Sequence, residues 1–494
     1  ITSFAVYNSS VETSSSIVGE AAYVNKYFDK NKVIDIEISL SEADFADMMK
    51  NPTKEEYKQA SVVVNGQEID HVGLRVKGNS SLSSVANSES DRYSFKIDFD
   101  QYIDEQSLDG LTKLNLNNSF SDPSYMREYL SYSLLSEMNI PTPAYCYANI
   151  FVNGKSVGLY LAVEGIEESF AKRYYGNNDG NIYKPEGQGS DLVYIDDKIE
   201  SYNGIAAVTK LKKGSEDSLL AMIKALNKGK NLEKYIDVDE VLRYFAVNTA
   251  LVNMDSYQGN FNHNYYLYEE DGVFEVLPWD YNMSFGGFGM GGGQGGSTTL
   301  YIDQPVSGTT MDARPLIGKL LENPEYKELY HKYLEEFING PFSAEKMTME
   351  IERVAKLIRP HLEKDTTKFF TMEQFEAALK DGTEEQQIQN NEAVTAKTQQ
   401  NPGGFNRAQG MGNMLQGGSV IGLTKFVQDR IDNVGSQLSG ELPTTGSVSE
   451  VLTGGFGGGV PGRQRPEGAM PQGDFPKGNE PQGNFPQGDI PKDM

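Results

Sequence analysis

The sequence predicts an α+β protein with a strand-rich front half and a helix-rich back half. Three observations carry that expectation. Short runs alternating apolar and polar residues recur as far as residue 164. Apolar residues at helical spacing dominate the second half, from about residue 215. The 494 residues exceed what one ordinary core can fill and only 38% are hydrophobic, so two lobes with unpacked appendages are expected.

Residues 1–30 are serine-rich and weakly patterned and read as an arm. The front lobe follows over 31–165. "KVIDIEISL" (32–40) alternates like a strand, and "SEADFADMMKN" (41–51) has a serine N-cap and an acidic first turn. Residues 61–81 form a hairpin through Asn65-Gly66 that leads into a glycine-containing turn. "RYSFKIDFD" (92–100) alternates again. "SDPSYMREYLSYSLLSEMN" (121–139) is a helix with proline in its first turn, and residues 144–164 form a second hairpin turning at Asn153-Gly154.

The back lobe spans 166–440. Helices are expected over 215–229, 237–255, 313–339, 343–363, 371–380 and 422–438. Between the last two lies a Gln/Asn/Gly-rich stretch, about 381–420, that reads as a flexible insertion. Residues 441–494 end in a Pro/Gly/Asn/Asp near-repeat with too little apolar content to fold, so a disordered tail is expected.

Charge and composition exclude several classes. A formal net charge of −26 disfavours nucleic acid and anionic membrane surfaces as partners. No apolar run is long enough to span a bilayer, so no integral membrane segment is expected. One cysteine forbids an internal disulfide, and four histidines argue against a His-rich zinc site. The chain starts at Ile1 without a basic or apolar leader, as expected where a targeting signal has been removed. "LPTTG" (442–446) is similar to a sortase motif but lacks the apolar span and basic tail that should follow.

The densest chemistry lies in "NMDSYQGNFNHNYYLYEEDGVFEVLPWDYNMSFGG" (253–287). Asp255 follows a helix, Asn260 stands five residues on, and a hairpin turning at Asp271-Gly272 delivers Asp280. A hairpin's ends are adjacent, so it can bring two distant aspartates together. A phosphoryl-transfer site needs such parts: one carboxylate for the attacking hydroxyl, and an asparagine with a second carboxylate for Mg2+. The same stretch also reads as an Asn/Gly-rich turn with a strand-end aspartate capping backbone amides.

Protein kinases share this layout, and the front half adds to the likeness. "RVKGNSS" (75–81) offers Arg75, Lys77 and backbone amides to phosphates. Lys96 lies in an alternating strand, where a kinase carries its phosphate-binding lysine. Glu128, on the next helix, is placed to pair with Lys96, and Arg127 has an equal claim to a phosphate-facing role. Glu164 ends the second hairpin, where a connector would hold adenine.

The segments "VGLRVKGNSS", "YSFKIDF", "YMREYLSYSLL", "IFVNGKSVGLYLAVEGIEESF", "GNIYK", "NMDSYQGNFNHNYYLY", "VLPWDYNMSFGG" and "FVQDRIDNVGSQL" together resemble the CotH kinase family of atypical protein kinases, in the family's order from about residue 33 to 438. The resemblance implies a divergent two-lobed protein-kinase-like fold that transfers the ATP γ-phosphate to serine or threonine of coat or surface proteins. It implies ATP with Mg2+ or Mn2+, with Ca2+ as an alternative ion, and a protein partner with exposed serines. It implies a place outside the cell, on the surface or spore coat of a Gram-positive bacterium. Asp255 matches the catalytic aspartate, Asp280 the metal ligand and Lys96 the phosphate-binding lysine, while Asn260 and Asn264 compete as second metal ligand. The sequence departs at "WDYN", where Asn282 stands in place of an expected acid. Two rival readings stay open: a non-catalytic scaffold with a structural Ca2+, and a nucleotidyl transferase.

Overall fold

A computed structural model describes residues 21–288, 298–380 and 421–446. In the front part, helix α1 (Ala22–Tyr27) precedes strand β1 (Ile34–Ser39) and helix α2 (Glu42–Lys50). Ser41 caps α2 as expected, its side chain accepting from the Asp44 amide. Strands β2 (Lys58–Val64) and β3 (Gln67–Lys77) form the Asn65-Gly66 hairpin. Helix α3 (Ser80–Ala86), strands β4 (Ser94–Asp98) and β5 (Lys113–Asn117), and helix α4 (Arg127–Glu137) follow. Strands β6 (Tyr145–Val152) and β7 (Lys155–Glu164) complete the front.

These seven strands close into a barrel, in the order β1-β2-β3-β4-β5-β7-β6. Closure comes from β1, which pairs antiparallel with β2 and parallel with β6. Alternation sorts the side chains. Ile36, Val62, Leu74, Val76, Phe95, Ile97, Leu114, Leu116, Ala148 and Ala162 fill the barrel. Tyr145, Tyr147, Leu161 and Val163 point outward and pack on α4, where Tyr129 stacks on Tyr147 with ring centroids 5.0 Å apart. The outward face of β3, β4 and β5 instead carries Arg75, Lys77, Lys96, Asn115 and Asn117.

In the back part, helix α5 (Glu168–Tyr175), strands β8 (Asn181–Pro185) and β9 (Ile205–Ala207), and helices α6 (Ser215–Lys228) and α7 (Val238–Ala250) lead to the hairpin β10 (Tyr265–Glu270) and β11 (Val273–Pro278). A four-stranded sheet runs β11-β10-β8-β9. Helices α8 (Pro315–Glu322), α9 (Pro324–Asn339), α10 (Ala344–Lys364), α11 (Met372–Leu379) and α12 (Leu423–Leu438) complete the described residues.

The strand-rich front and helix-rich back stand as expected, with one core inside the barrel and another uniting α4 with the back helices. Two features differ from the expectation. The front strands close on themselves into the barrel. The stretch expected as a free arm ends in α1, whose Tyr23 and Tyr27 are buried in the barrel core. The tail expectation also shifts at its start: the Asp303 amide donates to the Thr444 carbonyl at 2.9 Å, so residues up to 446 are tied down. The glycine tract 289–297, the insertion 381–420 and residues 1–20 and 447–494 lie outside the described residues.

Candidate active site

The loop after α7 is braced from beneath by buried amides. Asn248 donates to Gln258 Oε1 at 2.6 Å and Ser256 Oγ at 3.0 Å, and Gln258 donates to the Pro305 carbonyl at 2.7 Å. Arg314 clamps the Tyr257 and Gly259 carbonyls at 2.7 and 2.6 Å. Gly259 is required by contact: a Cβ there would run into the Met254 carbonyl oxygen. Each buried polar group so satisfied makes the loop a rigid platform.

Asp255 stands on that platform with one carboxylate oxygen 2.7 Å from His263 Nε2. Asn264 donates to the Asp255 carbonyl at 2.9 Å and to its other carboxylate oxygen at 3.2 Å. At the far end of the hairpin, Asp280 takes a left-handed backbone (φ 55°), which Asp tolerates at modest cost. Its amide donates to the Tyr132 hydroxyl at 3.2 Å, and that hydroxyl donates to Glu128 at 3.1 Å. One tyrosine of α4 therefore ties the Asp280 turn to Glu128. Asn117 donates to both Glu128 oxygens, at 3.1 and 2.9 Å, and accepts from Lys77 Nζ at 2.8 Å. Lys77 also lies over the Trp279 ring, 5.5 Å from its centroid.

The electrostatics bind these groups into one site. Burial pulls the Lys77 amine down, opposed by the charges of Asp280 and Glu128. Burial and then the Asp280 charge push Glu128 up to about 7. Burial likewise pushes Asp280 up, with Lys77 pulling back and Asp255 adding to the rise. His263 is held above its ordinary value because Asp255 outweighs the opposing effect of burial. Charges of both signs are thus concentrated and half-desolvated, the pattern that favours functional sites.

The structure brings together Asp255, Asp280, Asn264, Glu128 and Lys77 of the expected residues. It does not bring Lys96 to Glu128. The lysine beside Glu128 and Asp280 is Lys77, the last residue of β3, one cross-strand row along from Lys96 of β4. Arg75 is ion-paired with Glu55 and stacks over Tyr57. Asn260 is exposed, whereas Asn264 is buried against Asp255. Asn282 leaves its side-chain oxygen buried without a hydrogen-bond partner among the described residues. His263, Tyr132 and Asn117 were not anticipated. The signal for His263 was its place between two asparagines directly before β10.

Glu164 is the clearest correction. Its register partner is Leu114, an inward residue, so its side chain turns into the barrel end instead of toward a ligand. There it meets Arg173 at 2.6 Å, the Ala144 amide at 2.8 Å and the Tyr23 hydroxyl. Glu164→Ala should therefore strand the Arg173 charge and cost about 3–5 kcal/mol of stability. Denaturant unfolding measures that loss, and nucleotide affinity of the folded fraction should be unchanged.

A second acidic pair lies behind the hairpin. Glu240 Oε2 accepts from the Val276 amide at 3.1 Å, while its Oε1 has no hydrogen-bond partner among the described residues. Burial and the charge of Glu275 push Glu240 well up. Burial holds Glu275 at about 7, against an opposing hydrogen bond from Tyr175. These carboxyls keep protons in the fold that the unfolded chain has released. The folded state binds more protons between the ordinary 4.5 and about 7, so stability falls as pH rises through that window. Glu275→Gln should flatten that slope and raise the melting temperature relative to the parent at pH 8 but not at pH 4. Parallel melting curves against pH would show that Glu275 is ionised in the fold.

Asp280, Asp255 and Asn264 supply hard oxygen donors. Among the described residues, no three His, Cys, Asp or Glu side chains form a ready cage. That donor set fits Mg2+, which commonly takes one or two carboxylates and shares its remaining positions with water and phosphate.

Comparison with known proteins adds the following. A family model described as CotH kinase protein matches residues 74–395, which contain Lys77, Glu128, Asp255 and Asp280. The inner spore coat protein H of Bacillus subtilis (strain 168) is 28% identical over 304 residues, covering 57% of this chain and 77% of that protein. The invasin CotH3 of Rhizopus delemar is 24% identical over 269 residues, covering 51% of this chain and 44% of its own length. Among solved structures, the HipA–HipB toxin–antitoxin complex with operator DNA from Shewanella oneidensis MR-1 aligns over 67% of this chain and 68% of that one, at 12% identity and a TM-score of 0.29.

Proposed function

The chain belongs to the CotH kinase family, and from that premise we propose that it is a protein kinase that transfers the ATP γ-phosphate to serine or threonine hydroxyls. The observation that carries this reading is the convergence of Lys77, Glu128, Asp255 and Asp280 from β3, α4, the loop after α7 and the end of β11. The two cores favour a two-lobed arrangement of kinase type, with the nucleotide lying between the outward face of β3–β5 and the Trp279–Asp280 turn.

Each residue then has a task. Lys77 leaves Asn117 to hold phosphate oxygens, and Glu128, fixed by Tyr132 and Asn117, keeps the lysine aimed. Asp255 takes or orients the proton of the acceptor hydroxyl, with its two oxygens positioned by His263 and Asn264. Asp280 and Asn264 would hold Mg2+, which supplies charge neutralisation at the transferred phosphoryl group. The protein would act outside the cell, on coat or surface proteins that present serines, a reading supported by its similarity to a protein named as an inner spore coat protein.

Incubation with γ-labelled or α-labelled ATP, Mg2+ and a generic serine-rich acceptor tests the proposal. Label from the γ position alone is expected. Label from the α position would mean nucleotidyl transfer, and no label from either would favour the scaffold.

A further inference from the structure

The outward face of the barrel carries three cross-strand rows. Lys77, Ser94, Asn117 and Leu161 make the first, by the register of β3, β4, β5 and β7. Arg75, Lys96, Asn115 and Val163 make the second. Asp98 and Lys113 belong to the third. Successive rows are two residues, or about 7 Å, apart. The first row meets Asp280 through Lys77. The third meets the chain connection after β7, where Gly165 donates to the Lys113 carbonyl at 3.0 Å and Glu167 pairs with Lys113 at 2.7 Å. Tyr266 of β10 is buried, with the charges of Glu186, Glu167 and Asp280 near it. It meets Trp279 edge to face at 5.6 Å.

Lys96 therefore lies one row away from the phosphate end. Within the described residues its amine makes no hydrogen bond or ion pair. Its neighbouring cations are occupied, Arg75 by Glu55 and Lys113 by Glu167; Asp98 Oδ2 accepts from the Tyr57 hydroxyl at 3.1 Å, while Asp98 Oδ1 is buried without a hydrogen-bond partner among the described residues. An unpaired ammonium, half-buried beside two other cations, is a group set to meet an acceptor from outside the chain.

We propose that Lys96 reads the base end of the bound nucleotide, its Nζ donating to an acceptor on the edge of the base. This rests on the reading of the site as a nucleotide cleft and gives Lys96 a task distinct from that of Lys77. Burial, then the nearby charge of Lys113, holds Lys96 down to about 8. Much of its hydration is already lost, so a new hydrogen bond costs little further desolvation. The site thereby selects nucleotides by a charged donor at the base, where an apolar slot would select by shape alone.

Competition titrations with Mg·ATP, adenosine and tripolyphosphate test the assignment, using a fluorescent ATP analogue as reporter. Lys96→Met should weaken Mg·ATP and adenosine about tenfold or more, the usual effect of losing a charged hydrogen bond, and leave tripolyphosphate unchanged. Lys96→Gln keeps a neutral donor and should lose less. Lys77→Met should give the mirror image, weakening tripolyphosphate and sparing adenosine. Circular dichroism melts identify any variant that has not folded, and the Gln variant then carries the test. Equal losses for tripolyphosphate and ATP would make Lys96 a phosphate ligand and overturn the proposal. So would binding by both Lys96 variants that matches the parent. If the parent itself binds no Mg·ATP, the nucleotide reading fails first and this inference goes with it.

Discussion

Asp255→Asn should cut phosphoryl transfer by about two to four orders of magnitude while leaving Mg·ATP affinity nearly unchanged, the range for losing a positioned acid–base group. Asparagine keeps the shape of the side chain. It also keeps an oxygen that can accept from Asn264, so the loop braced by Asn248, Gln258 and Arg314 should stand. What is lost is the negative charge facing the acceptor hydroxyl, together with the ionic half of the contact to His263. Single-turnover transfer with γ-labelled ATP measures the first quantity and calorimetric titration of Mg·ATP the second. Parallel losses in both would place Asp255 in nucleotide binding instead.

Asp280→Asn should remove metal-dependent nucleotide binding. Residues that merely support a metal ligand are worth about ten- to a hundredfold in affinity, and a direct charged ligand should be worth at least as much. Asparagine is the better probe than alanine, because Asp280 sits at φ 55°, a conformation that Asn tolerates and Ala resists. The backbone bond from the Asp280 amide to Tyr132 survives the change, so the turn should hold. Removing the Asp280 charge also relieves Glu128, whose carboxyl should fall back toward its ordinary value. The parent and the variant should then bind nucleotide equally weakly in excess EDTA and differ only with Mg2+ present. Equal Mg·ATP affinity in the two proteins would remove Asp280 from the metal site.

The sequence showed the local devices well. Hairpins at Asn65-Gly66 and Asn153-Gly154, the Ser41 cap and the hairpin carrying Asp280 all depend on residues close in the chain, and all form. The closure of the barrel was not legible, because it depends on parallel pairing of β1 with β6 across more than a hundred residues. Local patterning reads Lys77 as part of a glycine-containing turn and Lys96 as part of an alternating strand, with no phase along the strands relative to α4. Only that phase decides which lysine meets Glu128. The same limit hid the inward turn of Glu164, one residue past Val163 on β7, where the strand's own alternation carries it into the barrel end. Nothing local singles out His263 as a partner of Asp255, since that bond depends on how the loop folds back.

The claim at the centre of this account is that Lys77, and not Lys96, is the lysine at the phosphates. An acyl phosphate of ATP carries a reactive acyl group at the end of its phosphate chain and transfers it to the nearest amine. Its reaction with the protein, followed by digestion and mass spectrometry, reads out that amine directly. The depressed Lys77 amine should take the acyl group, Lys96 should be spared, and excess Mg·ATP should suppress the labelling. Acylation of Lys96 with Lys77 untouched, or labelling scattered over exposed lysines that Mg·ATP does not suppress, would contradict it.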